Sequence, residues 1–314
     1  MKHLPSPTDT ATIWSTWVQP VEWLEAVRER RFRDEIKALL WPALGLKKGA
    51  TAVDVGCGGG ALSRALARWL GPGAKVYGTD RDLNFLEYAK RRARQEHLGR
   101  RTEYLAGDAL ALPLPDSCAD LVTSYTVIEH IADTRRFLQE QLRICKPGGR
   151  LSVMQVLSGG PGLSPAPKLA APPTELENQL WEPLSLAYKA VVDDPWGVGK
   201  TDIKQAEILT LFEQLGLSEI MLDSFADVNS LEDARADKAF ALAYLKMKEH
   251  WALQAADRCA GLLDCELPPE YLPELRRLIK ARFAKERRWL NAGRKTWGFT
   301  ISVSFVICGK VPEK

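Results

Sequence analysis

The stretch Thr51-Ala52-Val53-Asp54-Val55-Gly56-Cys57-Gly58-Gly59-Gly60-Ala61-Leu62 decides the fold of this chain. A short β-branched run ends in a glycine cluster, and an apolar helical pattern begins directly after it. This order predicts a strand, a tight turn and the start of a helix. The turn favours glycine because positive φ costs glycine little and because a side chain would keep a ligand away from the backbone. The unpaired N–H groups at the start of the helix favour an anionic part of that ligand.

Strand-like and helix-like segments alternate regularly after Gly45. The predicted strands lie at 50–55, 74–80, 101–106, 119–124 and 150–156, and the predicted helices lie at 60–70, 82–97 and 132–145. Such alternation indicates βαβ units and a parallel sheet that binds its ligand at the carboxyl ends of the strands. Two later strands, at 217–224 and 297–308, bring the predicted total to seven.

The segments that flank this alternation have a different composition. Residues 20–40 are predicted to form one helix, with Arg28 and Arg31 among the arginines of a solvated face. Residues 157–175 are rich in proline and glycine and predict a loop or flap. Residues 230–290 predict a long helical segment.

These patterns divide the chain into a core and its insertions. The predicted parts are an N-terminal helical lid (1–45), a ligand-binding core (46–156), a Pro/Gly-rich flap (157–202), a continuation of the core (203–228), a helical cap insertion (229–294) and a final core strand (295–314).

Bulk composition narrows the class of protein. A length of 314 residues suits one large α/β domain with insertions. The net charge of +3 does not by itself point to a nucleic-acid partner. No uncharged apolar run is long enough to span a membrane. The six cysteines include no CxxC pair, which indicates neither a zinc site nor a disulfide framework and favours reduced thiols in a cytoplasmic protein.

The order of motifs from Thr51 to Leu151 resembles the class I S-adenosylmethionine (SAM) methyltransferases, in particular the small-molecule, ubiquinone-biosynthesis-like branch. Asp54 with the glycine turn matches motif I, and Asp80 ends the second strand. The Glu129-His130 pair and the Lys146-Pro147-Gly148-Gly149 turn match later landmarks of that branch. The resemblance implies a Rossmann-like, doubly wound, seven-stranded and mostly parallel sheet with a helical cap.

The resemblance also implies which residues hold the cofactor SAM. Backbone groups of the glycine turn approach its methionyl part, Asp80 accepts from the ribose hydroxyls, and Asp108 reads the adenine amino group. The full set of implied cofactor-binding residues is Asp54, Gly56, Cys57, Gly58, Asp80, Arg81, Gly107, Asp108, Ala109, Ser124 and Tyr125.

Methyl transfer from an activated donor needs proximity and alignment more than a dedicated nucleophile. A base is required when the acceptor must lose a proton, and His130 is the candidate because imidazole titrates near neutral pH. Packing at the entrance of a helix is the alternative role for His130. Some relatives bind a metal through an acid three residues before the Glu-His pair; here that position is Thr126, so no metal is predicted.

Two features of the predicted cap bear on its role. Phe240, Tyr244, Met247 and Trp251 recur at helical spacing and form one aromatic face, which suits core packing, an acceptor pocket or both. The segment 276–295 carries nine Lys/Arg and one acid, which suits a solvated helix face or an anionic partner.

The favoured function is methyl transfer from SAM to a small apolar or aromatic molecule, with no nucleic-acid partner and no membrane span. An RNA or other nucleic-acid methyltransferase that uses the basic helix, and a SAM-binding protein without enzymatic activity, remain open. A nicotinamide oxidoreductase also fits Gly56-x-Gly58-x-x-Ala61, but Asp54 and the Gly107-Asp108 pair disfavour it.

Overall fold

A computed structural model describes residues 14–158, 172–192, 203–230, 238–261, 263, 267–294 and 300–313. The strands are β1 (Thr51–Val55), β2 (Lys75–Asp80), β3 (Thr102–Ala106), β4 (Ala119–Tyr125), β5 (Cys145–Ser158), β6 (Ser218–Asn229) and β7 (Thr300–Lys310). The α-helices are α1 (Val21–Arg31), α2 (Lys37–Ala43), α3 (Ala61–Leu70), α4 (Leu83–Gln95), α5 (Thr134–Ile144), α6 (Glu175–Val192), α7 (Gln205–Gln214), α8 (Lys238–Ala260) and α9 (Tyr271–Asn291).

The seven strands form one sheet in the order β3-β2-β1-β4-β5-β7-β6. The run from β3 through β5 is parallel throughout. The strand order reverses between β1 and β4, which is where α/β sheets open a crevice for a ligand. The predicted α/β, seven-stranded and mostly parallel sheet is confirmed.

The register brings the carboxyl ends of four strands to one level. Val55 lies opposite Thr79 on one side and Ser124 on the other. Asp80 in turn lies opposite Ala106. Side chains and loops that follow these positions therefore share one edge of the sheet.

Apolar layers cover both faces of the sheet because successive strand residues point to opposite sides. Ala52 packs in one cluster with Leu66 of α3, whereas Val53 packs in another with Phe137 of α5 and Phe212 of α7. These two clusters anchor the strands that carry the crevice.

The predicted single helix at 20–40 is interrupted. Helix α1 ends at Arg31, a short 3₁₀ turn covers Asp34–Ile36, and α2 follows. Phe32 at the break is 1% exposed, so burial of its ring in the core accompanies the change of direction. The expectation of a solvated arginine face is wrong for Arg31, which is 7% exposed.

The predicted turn at Lys146-Pro147-Gly148-Gly149 lies inside β5. Ala119 pairs with Cys145 and Leu121 pairs with Arg150, so the four residues form an irregularity in the strand. Gly148 has a φ of 72°, which supplies the local bend. The pairing of Cys145 with β4 extends the strand to the amino side of the expected turn.

The chain divides into two compact units. The core unit holds the described residues of 8–157, 197–226 and 303–314, and the helical unit holds those of 158–196 and 227–302. The helical unit overlaps the ranges proposed as flap and cap. The proline-rich part of the flap lies largely outside the described residues.

The helical unit is built on α6, α8 and α9. Leu184 of α6, Leu245 of α8 and Ile279 of α9 belong to its buried cluster. The buried face of α8 consists of Ala241, Leu245, Ala252, Ala256 and Cys259. The aromatic face of Phe240, Tyr244, Met247 and Trp251 is therefore a neighbouring, half-buried face of the same helix.

Many cations of the basic helix are engaged inside the helical unit. Arg276 pairs with Asp257 and Arg287 pairs with Glu249, both on α8. Arg282 pairs with the buried Glu177 of α6 at 3.0 Å. These ion pairs brace three helices against one another. Among the described residues, no helix combines the length and the apolar character needed to cross a bilayer.

Candidate functional site

The glycine turn after β1 has the left-handed backbone that its sequence predicts. Gly56, Gly58 and Gly60 have φ values of 68°, 54° and 86°. The backbone N–H of Cys57 donates to Thr79 O at 2.9 Å, and the N–H of Gly60 donates to Cys57 O at 3.0 Å. The backbone of Cys57 therefore stabilises the turn through both of these hydrogen bonds, and its side chain is buried.

Asp54 lies at the base of this turn. It is 1% exposed, and its Oδ2 accepts a hydrogen bond from Ser63 Oγ of α3 at 2.6 Å. Burial raises the pKa of Asp54 to about 6, against the opposing effect of the Ser63 hydrogen bond. The structure therefore shows Asp54 joining β1 to α3 beneath the turn.

Asp80 occupies the end of β2 beside the turn. Its Oδ2 accepts from Gly58 N–H at 2.8 Å and its Oδ1 accepts from Asp82 N–H at 2.9 Å. Burial raises the pKa of Asp80, although both backbone N–H groups stabilise its charged form. Because a carboxylate has about four acceptor positions, two remain for donors on a ligand.

The predicted residues after β3, Gly107, Asp108 and Ala109, lie at the same carboxyl edge of the sheet. The N–H of Gly107 donates to Asp80 O at 3.1 Å, which joins the ends of β2 and β3. Asp108 is exposed, and its Oδ1 accepts from Leu110 N–H at 2.9 Å. Arg81 is exposed beside Asp80, and Ala109 is half-buried beside Asp108.

Tyr125 at the end of β4 is turned into the core unit. It is 2% exposed, its hydroxyl accepts from Arg31 Nη1 at 2.5 Å, and it lies 3.2 Å from Ser304 Oγ of β7. The ring of Phe32 meets it edge-on, with ring centroids 4.9 Å apart. The side chain of Tyr125 is therefore buried behind the end of β4 and held there by these three contacts.

The loop after β4 carries strain and buried polar groups. Thr126 has a φ of 54°, which is unusual for a β-branched residue and characteristic of functional loops. Within the described chain, Ser124 Oγ and Glu129 Oε2 are buried without a hydrogen-bond partner. Buried polar atoms of this kind point to a ligand that would complete their hydrogen bonding.

His130 lies against the N-terminal segment. Its ring meets Trp14 edge-on at a centroid distance of 4.6 Å. Burial lowers its pKa to about 4, and the positive charges of Arg28 and Arg81 act in the same direction. His130 is therefore a neutral imidazole near pH 7.

Helix α1 places Glu25 and Arg28 at the glycine turn. Arg28 was expected on a solvated face, and Glu25 was not expected at the site. Arg28 Nη2 donates to Thr126 Oγ1 at 2.7 Å. A Cβ added to Gly59 would lie 2.5 Å from Glu25 Cγ. Glu25 and Arg28 fall at i and i+3, and this spacing could have revealed a shared face. The partners on other elements are invisible in the sequence.

The structure thus brings Asp54, Gly56, Gly58 and Asp80 together at the turn. It places Gly107, Asp108 and Ala109 at the neighbouring strand end. Ser124 and His130 lie on the β4 side. Their roles toward a ligand remain proposals.

Comparisons with known proteins concern this same region. Residues 53–153 match the family model described as "Methyltransferase domain". The 2-phytyl-1,4-naphtoquinone methyltransferase of Nostoc punctiforme is 34% identical over 133 residues, which cover 42% of this chain and 56% of that relative. The demethylmenaquinone methyltransferase of Lactobacillus johnsonii is 33% identical over 112 residues, which cover 36% of this chain and 46% of that relative. The match therefore spans about half the length of these relatives.

Solved structures extend the similarity of fold beyond the matched domain. The phosphoethanolamine N-methyltransferase 2 of Haemonchus contortus, in complex with S-adenosyl-L-methionine, aligns over 99% of this chain and 61% of its own, with a TM-score of 0.51. At 16% sequence identity, this likeness concerns the fold alone.

Proposed function

We propose that this chain, whose residues 53–153 match the model of a methyltransferase domain, is a SAM-dependent methyltransferase that acts on a small apolar or aromatic molecule of the quinone class. The observation that carries the proposal is the agreement between the matched domain and the geometry of its crevice. The glycine turn, the carboxylate of Asp80 and the end of β4 meet at the point where the strand order reverses. The names of the relatives support the quinone class of acceptor.

The residues at the crevice fit the chemical groups of SAM. Asp80 retains acceptor capacity for the two ribose hydroxyls. The absence of a side chain at Gly58 leaves room for Arg28, whose Nη1 lies 2.8 Å from the position of an added Cβ, beside the part of the turn proposed to approach the methionyl group. The unpartnered Glu129 Oε2 and Ser124 Oγ suit the donors of its amino group. Leu83 is 45% exposed beside Asp80 and offers an apolar surface to the adenine, and Asp108 offers an acceptor to its amino group.

SAM supplies, when bound, a methyl group on a positively charged sulfur, which is already an activated leaving group. The protein's own task is to bind, to align the acceptor and to keep water away. The buried side chain of Tyr125 and the packing of Trp14 on His130 contribute to a dry crevice.

His130 is the proposed base for acceptors that lose a proton. With a pKa of about 4 it is unprotonated at neutral pH, which is the state of an imidazole that can accept a proton. A pKa this far below neutral makes it a weak base, so it can take only a proton that becomes strongly acidic as the new bond forms.

The test is transfer of a labelled methyl group from SAM to a panel of demethylated naphthoquinols and benzoquinols. The proposal expects labelled quinol product, and expects His130→Ala to lower kcat while the affinity for S-adenosylhomocysteine is retained. Binding of S-adenosylhomocysteine without transfer to any small aromatic acceptor would contradict the acceptor class. An unchanged kcat in His130→Ala would show that His130 is not the general base.

A further inference from the structure

Arg28 reaches from α1 to both loops that line the crevice. Its Nη2 donates to Thr126 Oγ1 at 2.7 Å, and its guanidinium carbon lies 5.5 Å from the centroid of the Tyr125 ring. Its Nη1 lies 2.8 Å from the position that a Cβ on Gly58 would take. One cation thus spans the glycine turn and the end of β4.

The charge of Arg28 lacks a carboxylate partner. Within the part of the chain that the structure describes, its hydrogen bond goes to a neutral hydroxyl and no ion pair involves it. Its field opposes the burial that raises the pKa of Asp54, Asp80 and Glu129. A guanidinium has five N–H donors in a planar fork that matches a carboxylate. Arg28 therefore has donors available for an anionic group of a ligand.

A buried ionic network holds α1, and with it Arg28, on the core unit. Arg64 of α3 is 1% exposed, and its Nη2 lies 3.0 Å from Glu25 Oε2 and 2.7 Å from Glu29 Oε1, both on α1. Its Nε lies 2.8 Å from Glu96 Oε1. Breaking a buried pair of this kind leaves an uncompensated charge, which is strongly unfavourable. The position of Arg28 is therefore fixed by the fold.

We propose that Arg28 binds the carboxylate at the amino-acid end of the cofactor, so that α1 is part of the cofactor site. This inference rests on the proposed function, because it takes SAM as the ligand of the glycine turn. The amino-acid end is the part of SAM that carries a carboxylate, and the turn beside Arg28 is the part of the site proposed to approach it. A planar, bidentate contact would use the fork that Thr126 and Tyr125 hold in place.

The test is titration calorimetry with two probes. S-adenosylhomocysteine carries the amino-acid end, whereas 5′-methylthioadenosine retains the adenine, ribose and thioether and lacks that end. Arg28→Met should weaken binding of S-adenosylhomocysteine about 30-fold or more and leave that of 5′-methylthioadenosine within twofold. Arg28→Lys should recover part of the loss. Arg30→Met, which removes another cation of α1, should change neither affinity.

Three outcomes would overturn the inference. Equal losses for both probes in Arg28→Met would show a structural role for Arg28, and no loss for either would show no contact. Wild-type protein that binds neither probe would refute the proposed function itself, and that result is distinct from the first two.

Discussion

Asp80 is the side chain on which cofactor affinity should depend most. Asp80→Ala removes a charged acceptor from two buried hydroxyls of the ligand. We expect SAM binding to weaken by about 2–3 kcal/mol, measured by titration calorimetry.

Asp120 provides the matched control at the opposite edge of the sheet. Like Asp80 it accepts from a backbone N–H, that of Thr51 at 2.8 Å, and it also pairs with Lys146. Asp120→Ala should lower stability and leave SAM affinity unchanged. Equal affinity in wild type and Asp80→Ala would remove Asp80 from the site.

Asp54 makes the stability of the protein depend on pH. Its pKa is about 6 in the folded protein against an ordinary value of 3.8, so the folded state binds the proton more tightly. The stability associated with protonated Asp54 is therefore present below about pH 4 and is lost as the pH rises through about 6. This difference in pKa corresponds to about 3 kcal/mol.

Asp54→Asn keeps an acceptor for Ser63 and cannot titrate. The free energy of unfolding of Asp54→Asn minus that of wild type should therefore grow by about 2–2.5 kcal/mol between pH 4 and pH 7. Urea unfolding at a series of pH values measures this difference. A difference that stays constant over the range would contradict the raised pKa.

At the residue scale, sequence located the acids but not the arginine whose positive charge acts on them. Asp54 was identifiable because it lies near the end of a strand that leads into a glycine cluster, and Asp80 because it ends the next strand. Arg28 was assigned to a solvated face because it lies in an arginine-rich helix. Its contacts with Thr126 and Gly58 join positions far apart in the chain, and no local pattern encodes them.

At the scale of elements, the glycine turn can be tested against a glycine of similar backbone. Gly58 and Gly49 both have positive φ, at 54° and 74°. Replacement by valine should cost about 1–2 kcal/mol of stability at Gly49 because of the left-handed backbone, and more at Gly58, where the added side chain also meets Arg28 and Leu24. Only Gly58→Val should also weaken S-adenosylhomocysteine binding, by more than tenfold, because the valine side chain would displace Arg28 from its position beside the glycine turn.

Gly49 is the control because the nearest atom to an added Cβ is Pro72 O at 3.8 Å. Thermal unfolding and calorimetry of both variants separate backbone strain from obstruction of the site. Normal affinity in a folded Gly58→Val variant would refute the placement of the turn.

Sequence predicted the elements of the parallel core well because alternation and turn residues are local signals. The strands from β1 to β4 lie within about two residues of their predicted ranges. The break after α1 was missed, because burial of Phe32 depends on a tertiary cluster. The irregularity in β5 was missed, because Pro147 and Gly148 have the composition of a turn whether or not the flanking residues pair.

At the scale of the whole molecule, the helical unit combines segments that the sequence could only describe one by one. Helices α6, α8 and α9 share a buried cluster although 45 residues, 193–237, separate α6 from α8 in the chain. Hydrophobic periodicity identifies a helix but not its partner. The core face of α8 was therefore not distinguishable from its aromatic face.

Two neighbouring residues of α8 test the packing of the helical unit. Leu245→Ala should cost about 2–4 kcal/mol of stability, because Leu245 is 5% exposed. Tyr244→Ala should change the free energy of unfolding by less than about 1 kcal/mol, because Tyr244 is half-buried. Urea unfolding measures both values, and equal losses in the two variants would show that the aromatic face belongs to the packed core of the unit.

The central claim is that the crevice beside the glycine turn binds SAM. Titration calorimetry of the wild-type chain with S-adenosylhomocysteine and, separately, with NADH tests it most directly, because the glycine pattern alone fits either ligand. We predict saturable binding of S-adenosylhomocysteine at one site per chain and no binding of NADH. Saturable binding of NADH, with none of S-adenosylhomocysteine, would contradict the claim.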